Sequence, residues 1–329
     1  MKRAAYLYLA VLAAFGTLFL FAAAGKIDGV EVNFGGDVVA DSASAPDARA
    51  YAALDRYYAG PSLETPQRVR PPRLKGSYDF AGEYLPLEEP DVRMRLDREL
   101  LTNTFYHSST QHILKYQSMY MPTIEAILAE EGVPDDLKYI AVAESAFRDF
   151  KSPAGAAGVW HFMKGTAKQY GLEVNGEVDE RYHLEKATHA AARFLKDLKA
   201  EMGTWTLAAA AYNRGAAGVR NRIQQQRAED FYDLNLNAET ARYFFRIVAL
   251  KDILEDPQYY GFFIERVDTY APLDDYAVVT QTESVKNLGD FARQYGTSYR
   301  KLKLYNPWLR DLSLTISAGN SYEIRVPRT

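Results

Sequence analysis

Val133-Pro134-Asp135-Asp136-Leu137-Lys138-Tyr139-Ile140-Ala141-Val142-Ala143-Glu144-Ser145-Ala146-Phe147 is the stretch on which the reading of this chain turns. Pro134 suits the first turn of a helix, and Asp135 and Asp136 sit where a helix dipole favours negative charge. Leu137, Ile140, Ala141 and Phe147 recur at helical spacing and define a buried stripe. Glu144 lies seven residues after Leu137 and four after Ile140, so it falls on that same stripe. Desolvation there penalises the charged form, so the position predicts a carboxyl group that donates a proton near neutral pH. The competing reading is a buried glutamate paired with an arginine, for example Arg193 or Arg246.

Working outward, helical patterns begin near Val92. Ile124, Ile127 and Leu128 precede Gly132, which closes their helix. A further helix is expected over Leu184 to Met202, with Leu184, Ala187, Ala191, Phe194, Leu198 and Met202 on one face. Thr204 and Asn237 are placed to cap two more, the second running to Ile253. Almost no alternating pattern occurs between Phe105 and Ile253, so the fold class expected is mainly α. After a boundary near Pro272 the period changes. Val278, Val279 and the segment Ser321 to Val326 read as short strands with two short helical stretches between them, a small α+β module. Before the helices, residues 25–87 carry prolines 46, 61, 66, 71, 72 and 86 and little periodicity. They read as a Pro-rich spacer with a short helix near Tyr51 to Tyr58.

The N-terminus adds a location. Lys2 and Arg3 precede an uncharged apolar run from Ala4 to Ala24, the pattern of an export signal, cleaved or retained as an inner-membrane anchor. Everything after Gly25 is then expected outside the cytoplasm, in the periplasm or cell envelope. With 47% hydrophobic and 25% charged residues the 329-residue chain can bury a core, and a net charge of −4 offers no general attraction for nucleic acid. The absence of cysteine excludes a disulfide scaffold, a thiolate metal site and a cysteine nucleophile. Histidines 107, 112, 161, 183 and 189 form no His-Glu-x-x-His pattern, so neither metal nor cofactor is expected.

Two further segments bear on Glu144. Gly155-Ala156-Ala157-Gly158-Val159-Trp160-His161-Phe162-Met163 is a small-residue turn leading into aromatic residues. Its glycines let the backbone approach a ligand, and Trp160 offers a flat face to a sugar ring, the alternative being a core tryptophan. Ala211-Tyr212-Asn213-Arg214-Gly215 places two neutral hydrogen-bonding groups at a helix end.

Taken in order, these segments resemble the family 1 lytic transglycosylases, which carry the soluble-lytic-transglycosylase or goose-lysozyme-like domain. The membrane-bound type D subgroup is the nearest match. The resemblance rests on Glu144-Ser145-Ala146-Phe147, on Gly155 to Met163, on Ala211-Tyr212-Asn213 with Gly215 and Gly218, on Glu239-Thr240-Ala241-Arg242-Tyr243, and on the Val133 to Leu137 lead-in. It covers roughly residues 88–266 and implies a lysozyme-like helical catalytic domain. Residues 273–329 resemble a degenerate LysM module through Val279-Thr280, Leu288 to Ala292, Tyr295-Gly296-Thr297, Leu302, Leu304, Asn306-Pro307, Ile324 and Val326-Pro327. Glu283-Ser284-Val285 stands where that module usually opens with Gly-Asp-Thr-Leu. The module implies binding of N-acetylglucosamine-containing glycans, or a role in packing.

The resemblance implies an enzyme of peptidoglycan, acting on glycan strands without a cofactor. Glu144 is its single catalytic acid/base, cleaving the β-1,4 bond between N-acetylmuramic acid and N-acetylglucosamine and leaving a 1,6-anhydro end. Ser145 and Tyr243 are expected to orient Glu144. Tyr212, Asn213 and the backbone of Gly158, Val159 and Trp160 are expected to hold the sugar, while His161, Phe162 and Met163, with the Trp160 ring, line or shape the groove. Members of the family usually carry glutamine where this chain has His161, which puts the contacts made there in question; a histidine facing solvent is the alternative. A lysozyme-like muramidase on the same fold, with Asp149 or Asp179 as base, and a non-catalytic peptidoglycan-binding envelope protein are the rival readings.

Overall fold

The computed structural model describes residues 70–148 and 151–328. The apolar run 4–24, the helix expected near residues 51–58 and Asp149 lie outside the described residues. The described residues form one compact unit.

A hairpin comes first, β1 (Asp79–Phe80) paired antiparallel with β2 (Glu83–Tyr84). Its two central residues, Ala81 and Gly82, both have positive φ, 54° and 77°. That is the turn whose twist matches paired strands. Tyr78, Phe80, Leu85 and Leu87 are buried in the main core. The stretch read as spacer therefore already contributes to the core from Tyr78: four apolar side chains in ten residues are enough to bury one face of a hairpin.

Helix α1 (Pro90–Phe105) starts with proline in its first turn and buries Val92, Leu96 and Leu100. Helix α2 (His107–Glu130) stops before Gly132, whose φ of +67° ends it. The expected helix from Pro134 begins as a single 3-10 turn, Asp135–Leu137, and becomes α3 (Lys138–Ser145) only afterwards. Helix α3 is buried on several sides rather than along one stripe: Lys138, Tyr139, Ile140, Ala141, Val142 and Ser145 are all inside. Lys138 is tolerated there because its ammonium reaches Glu125 and Asp135 at 2.7 and 2.6 Å.

Helices α4 (Lys164–Gln169), α5 (Leu184–Met202), α6 (Trp205–Arg214), α7 (Ala216–Gln226) and α8 (Ala238–Glu255) complete the domain. The Thr204 hydroxyl accepts from Leu207 N and the Asn237 carboxamide from Thr240 N, the two caps expected. Helix α8 is the central element: Tyr243, Phe244, Phe245, Ile247, Val248 and Ile253 are buried on it.

A second, smaller core follows. Strand β3 (Tyr276–Gln281) pairs antiparallel with β4 (Tyr322–Pro327), Val279 opposite Ile324, and α9 (Leu288–Gln294) and α10 (Tyr299–Tyr305) lie between them in sequence. Leu288, Phe291, Leu302, Trp308, Leu314 and Ile324 fill it, and Val178 of the helical domain joins them. Main-chain bonds join the two parts: Asp179 N donates to Trp308 O at 2.8 Å and Arg310 N to Glu177 O at 2.7 Å. Among the described residues no helix is long and apolar enough to cross a membrane.

Candidate active site

Glu144 sits in the last turn of α3 with its side chain 16% exposed. The Tyr243 hydroxyl, from α8, donates to its Oε1 at 2.6 Å. Its Oε2 lies 3.6 Å from His161 Nδ1. Neither arginine considered as a partner pairs with it: Arg193 donates to Tyr170 O at 2.9 Å and lies 3.8 Å from Glu131, and Arg246 forms no ion pair with Glu144 among the described residues. Burial, then the charge of Glu144, pushes the Tyr243 and Tyr212 phenols well above their ordinary range, so both stay hydroxyl donors.

The chain leaves α3 abruptly. Ala146 and Phe147 have φ of 49° and 57°, and His161 has 48°, so three of the five non-glycine residues with positive φ among those described surround Glu144. Such conformations cost of order 1 kcal/mol each and persist where surrounding packing imposes them, often at functional sites. Ser145 belongs to this backbone device. Its hydroxyl donates to Ala141 O at 3.0 Å and accepts from Phe147 N at 3.1 Å. Its hydroxyl is used satisfying the helix end, so it bears on Glu144 through the backbone that carries the carboxylate.

The turn from Gly155 to Met163 is clamped from below. Gly158 has φ +78°, and a Cβ there would lie 1.7 Å from Arg181 O. The Arg181 guanidinium donates to Gly155 O and Phe162 O at 2.8 and 3.0 Å, and to both Asp179 oxygens at 2.8 and 2.7 Å. Asp179, one of the two acids considered as an alternative base, is thus committed to Arg181.

Trp160 and Phe162 depart from expectation. Trp160 is fully buried, with its indole N–H donating to Thr188 Oγ1 at 2.9 Å, and Phe162 is 2% exposed. Neither ring offers a face to a sugar; both anchor the turn in the core, because a short loop with one tryptophan gains more from burying it than from displaying it. The Trp160 carbonyl instead accepts from the Tyr212 hydroxyl at 2.7 Å, so Tyr212 holds the turn. Met163 is exposed and Val159 half-buried. His161 does not face solvent: its side chain is only 8% exposed and turned towards Glu144. Asn213, at the end of α6, accepts at Oδ1 from the Thr240 hydroxyl at 2.9 Å. One turn later on α8, Tyr243 reaches Glu144, so a single helix positions both Asn213 and the carboxylate. Arg181 and Thr188 were not singled out in sequence, and Asp179 was considered only as a base; the Asp179-Glu180-Arg181 charge run just ahead of an apolar helix was the one available signal.

The arrangement offers a carboxyl group with one oxygen steadied by a phenol, beside a rigid backbone turn. Residues 121–235 match the Transglycosylase SLT domain family, and residues 278–329 match the Soluble lytic transglycosylase C-terminal LysM-like domain. The chain carries an SLT transglycosylase domain. Glu144, the Gly155–Met163 turn, Tyr212 and Asn213 fall within the matched SLT segment, and Tyr243 lies just beyond it. The chain is 29% identical over 258 residues to the membrane-bound lytic murein transglycosylase D of Escherichia coli K12, and equally to that of E. coli O6:H1, covering 76% of this chain and 55% of theirs. It thus spans about half the length of the curated relatives it matches. Two solved structures share the SLT name. An inactive mutant of lytic transglycosylase Slt from Pseudomonas aeruginosa has a TM-score of 0.36 and 21% identity over 46% of this chain and 26% of that one. The 70 kDa soluble lytic transglycosylase of E. coli has a TM-score of 0.36 and 20% identity over 48% and 28%.

Proposed function

We propose that this chain is a peptidoglycan lytic transglycosylase in which Glu144 serves as the single acid and base. The observation that carries the reading is the Glu144 carboxyl group, held by the Tyr243 hydroxyl in an SLT domain, with Asp179 tied up by Arg181. Glu144 donates its proton to the oxygen joining N-acetylmuramic acid to N-acetylglucosamine as the C1–O bond breaks. The carboxylate so formed takes the proton of the muramic acid 6-hydroxyl, whose oxygen bonds to C1 and closes the 1,6-anhydro ring. The residue ends as it began, protonated, and no water is consumed. Tyr243 steadies the carboxylate after the first transfer, while Asn213, His161 and the backbone of Gly158 to Trp160 face the sugar. The basic start and apolar run of residues 2–24 support export to the periplasmic side of the inner membrane, cleaved or anchored there.

Mass spectrometry of digested peptidoglycan tests this. Fragments lacking one water at the muramic acid end are expected, and Glu144→Gln lowers their release by at least about 100-fold. Reducing ends instead would assign a muramidase, and equal release by wild type and variant would remove Glu144 from the chemistry.

A further inference from the structure

Asp179 is bonded at both ends. Its main-chain N–H donates to Trp308 O of the LysM-like module at 2.8 Å, while its carboxylate accepts from Arg181 Nε and Nη2 at 2.8 and 2.7 Å. The two residues before it hold the same seam. Glu177 O accepts from Arg310 N at 2.7 Å, and the Glu177 carboxylate accepts from the Ser313 hydroxyl and from Thr315 N, both at 2.8 Å. Val178 is buried in the module's own core. Residues 177–179 are therefore placed by the module. Arg181, two positions on, is buried and turns the other way. Its Nη1 donates to Gly155 O and Phe162 O at 2.8 and 3.0 Å, near the two ends of the glycine turn, and its carbonyl lies against Gly158, where no Cβ fits. Between those anchors the turn carries His161 to 3.6 Å from Glu144 Oε2.

We propose that Arg181 is a positioning residue for the reaction at Glu144 and that the LysM-like module acts on the chemistry through it, an inference resting on the reaction proposed above. The docked module holds Asp179, Asp179 aims the guanidinium, and the guanidinium sets the turn beside the carboxylate. A guanidinium transmits direction because its donors lie in one rigid plane, so bonds to Asp179 on one edge fix where Nη1 meets the two carbonyls. Every step in this route is a bonded contact between buried or half-buried groups, which is what coupling between distant parts requires. A misplacement of about 1 Å at a reacting centre costs on the order of 100-fold in rate. A module that only tethers glycan strands would behave differently: it would change how long strands are held and leave the turnover of short fragments untouched.

The test uses the full chain with peptidoglycan glycan fragments of two disaccharides, kcat and KM being measured separately. Beside it, hydrogen exchange is followed at the Trp160 indole N–H, which is buried against Thr188 and reports the turn without any reaction. Glu177→Ala removes seam contacts and touches neither Arg181 nor the turn. Arg181→Lys keeps the charge and loses the planar fork. Each is expected to lower kcat on the order of tenfold with KM unchanged, and each to speed the indole exchange, while thermal melts confirm that both variants remain folded. Wild-type kcat and exchange in Glu177→Ala overturn the proposal, as does a change confined to KM or a faster exchange with normal kcat. If the wild type releases no anhydro ends but Glu177→Ala still speeds the exchange, the link from module to turn stands and the proposed reaction is what fails.

Discussion

The Tyr243 hydroxyl donates a hydrogen bond to the Glu144 carboxylate at 2.6 Å. Tyr243→Phe deletes only that oxygen and leaves a ring of nearly the same volume in the core. A hydrogen bond to a charged group contributes about 1.5–3 kcal/mol, so turnover is expected to fall roughly tenfold or more while the melting temperature falls by only a few degrees. Rate assays paired with thermal melts check the split; a large loss of stability with normal turnover would remove Tyr243 from the site. Gly158→Ala is the opposite case. A methyl group 1.7 Å from Arg181 O, on a residue at φ +78°, forces the turn off its clamp. Overpacking and a left-handed alanine together cost about 2–5 kcal/mol, read as a loss of soluble, cooperatively melting protein. At this scale the sequence exposed the carboxylate and its phenol because each sits in a motif of adjacent residues. It concealed the fate of Trp160: whether a tryptophan in a glycine turn is displayed or buried depends on Thr188, a helix away. The Arg181 clamp was hidden for the same reason.

Among the helices, the one bearing Tyr212 and Asn213 is held at its start by a distant carboxylate. Glu83 accepts from Trp205 N, Thr206 N and Thr206 Oγ1 at 2.6, 2.9 and 2.8 Å, and Lys199 lies 3.3 Å away. Burial alone would raise its pKa, but the backbone N–H groups of Trp205 and Thr206 outweigh it and hold the carboxyl below its usual range. Its stabilising contribution is therefore complete above the unfolded value and lost as pH falls. Glu83→Ala is expected to cost about 1–2 kcal/mol at neutral pH, a difference that shrinks in acid; denaturant titrations at both pH values measure it. A pH-independent difference would point to packing instead. The local caps at Thr204 and Asn237 were legible because cap and helix adjoin. Glu83 was not, since the hairpin that carries it is brought to α6 by the burial of Phe80 and Leu85.

Over the whole molecule, the seam between the SLT domain and the module is polar at its rim and apolar within. Glu185 of α5 bonds Arg325 of β4, with His183 at 3.2 Å. Burial opposes ionisation of Glu185, yet these two partners hold its pKa at about 2. The folded value is depressed, so the stability it gives is full above about pH 4.5 and disappears as pH falls towards 2. Melts across that range should steepen less for Glu185→Gln than for wild type; parallel curves would show that the pair does not hold the seam. The period change near Pro272 showed where the helical pattern ends. It carried no sign of the docking, which combines main-chain bonds with side-chain pairs, such as Glu177 with Ser313 and Glu185 with Arg325, between residues more than a hundred positions apart.

Val178 belongs by sequence to the helical domain and by burial to the module's interior. A cassette exchange at Pro272, bringing in the equivalent module of another protein, would leave that valine facing a foreign cavity and Glu177 without Ser313 and Thr315. The transferable unit is therefore discontinuous: the tail travels intact only if the loop around residues 173–185 is transplanted with it.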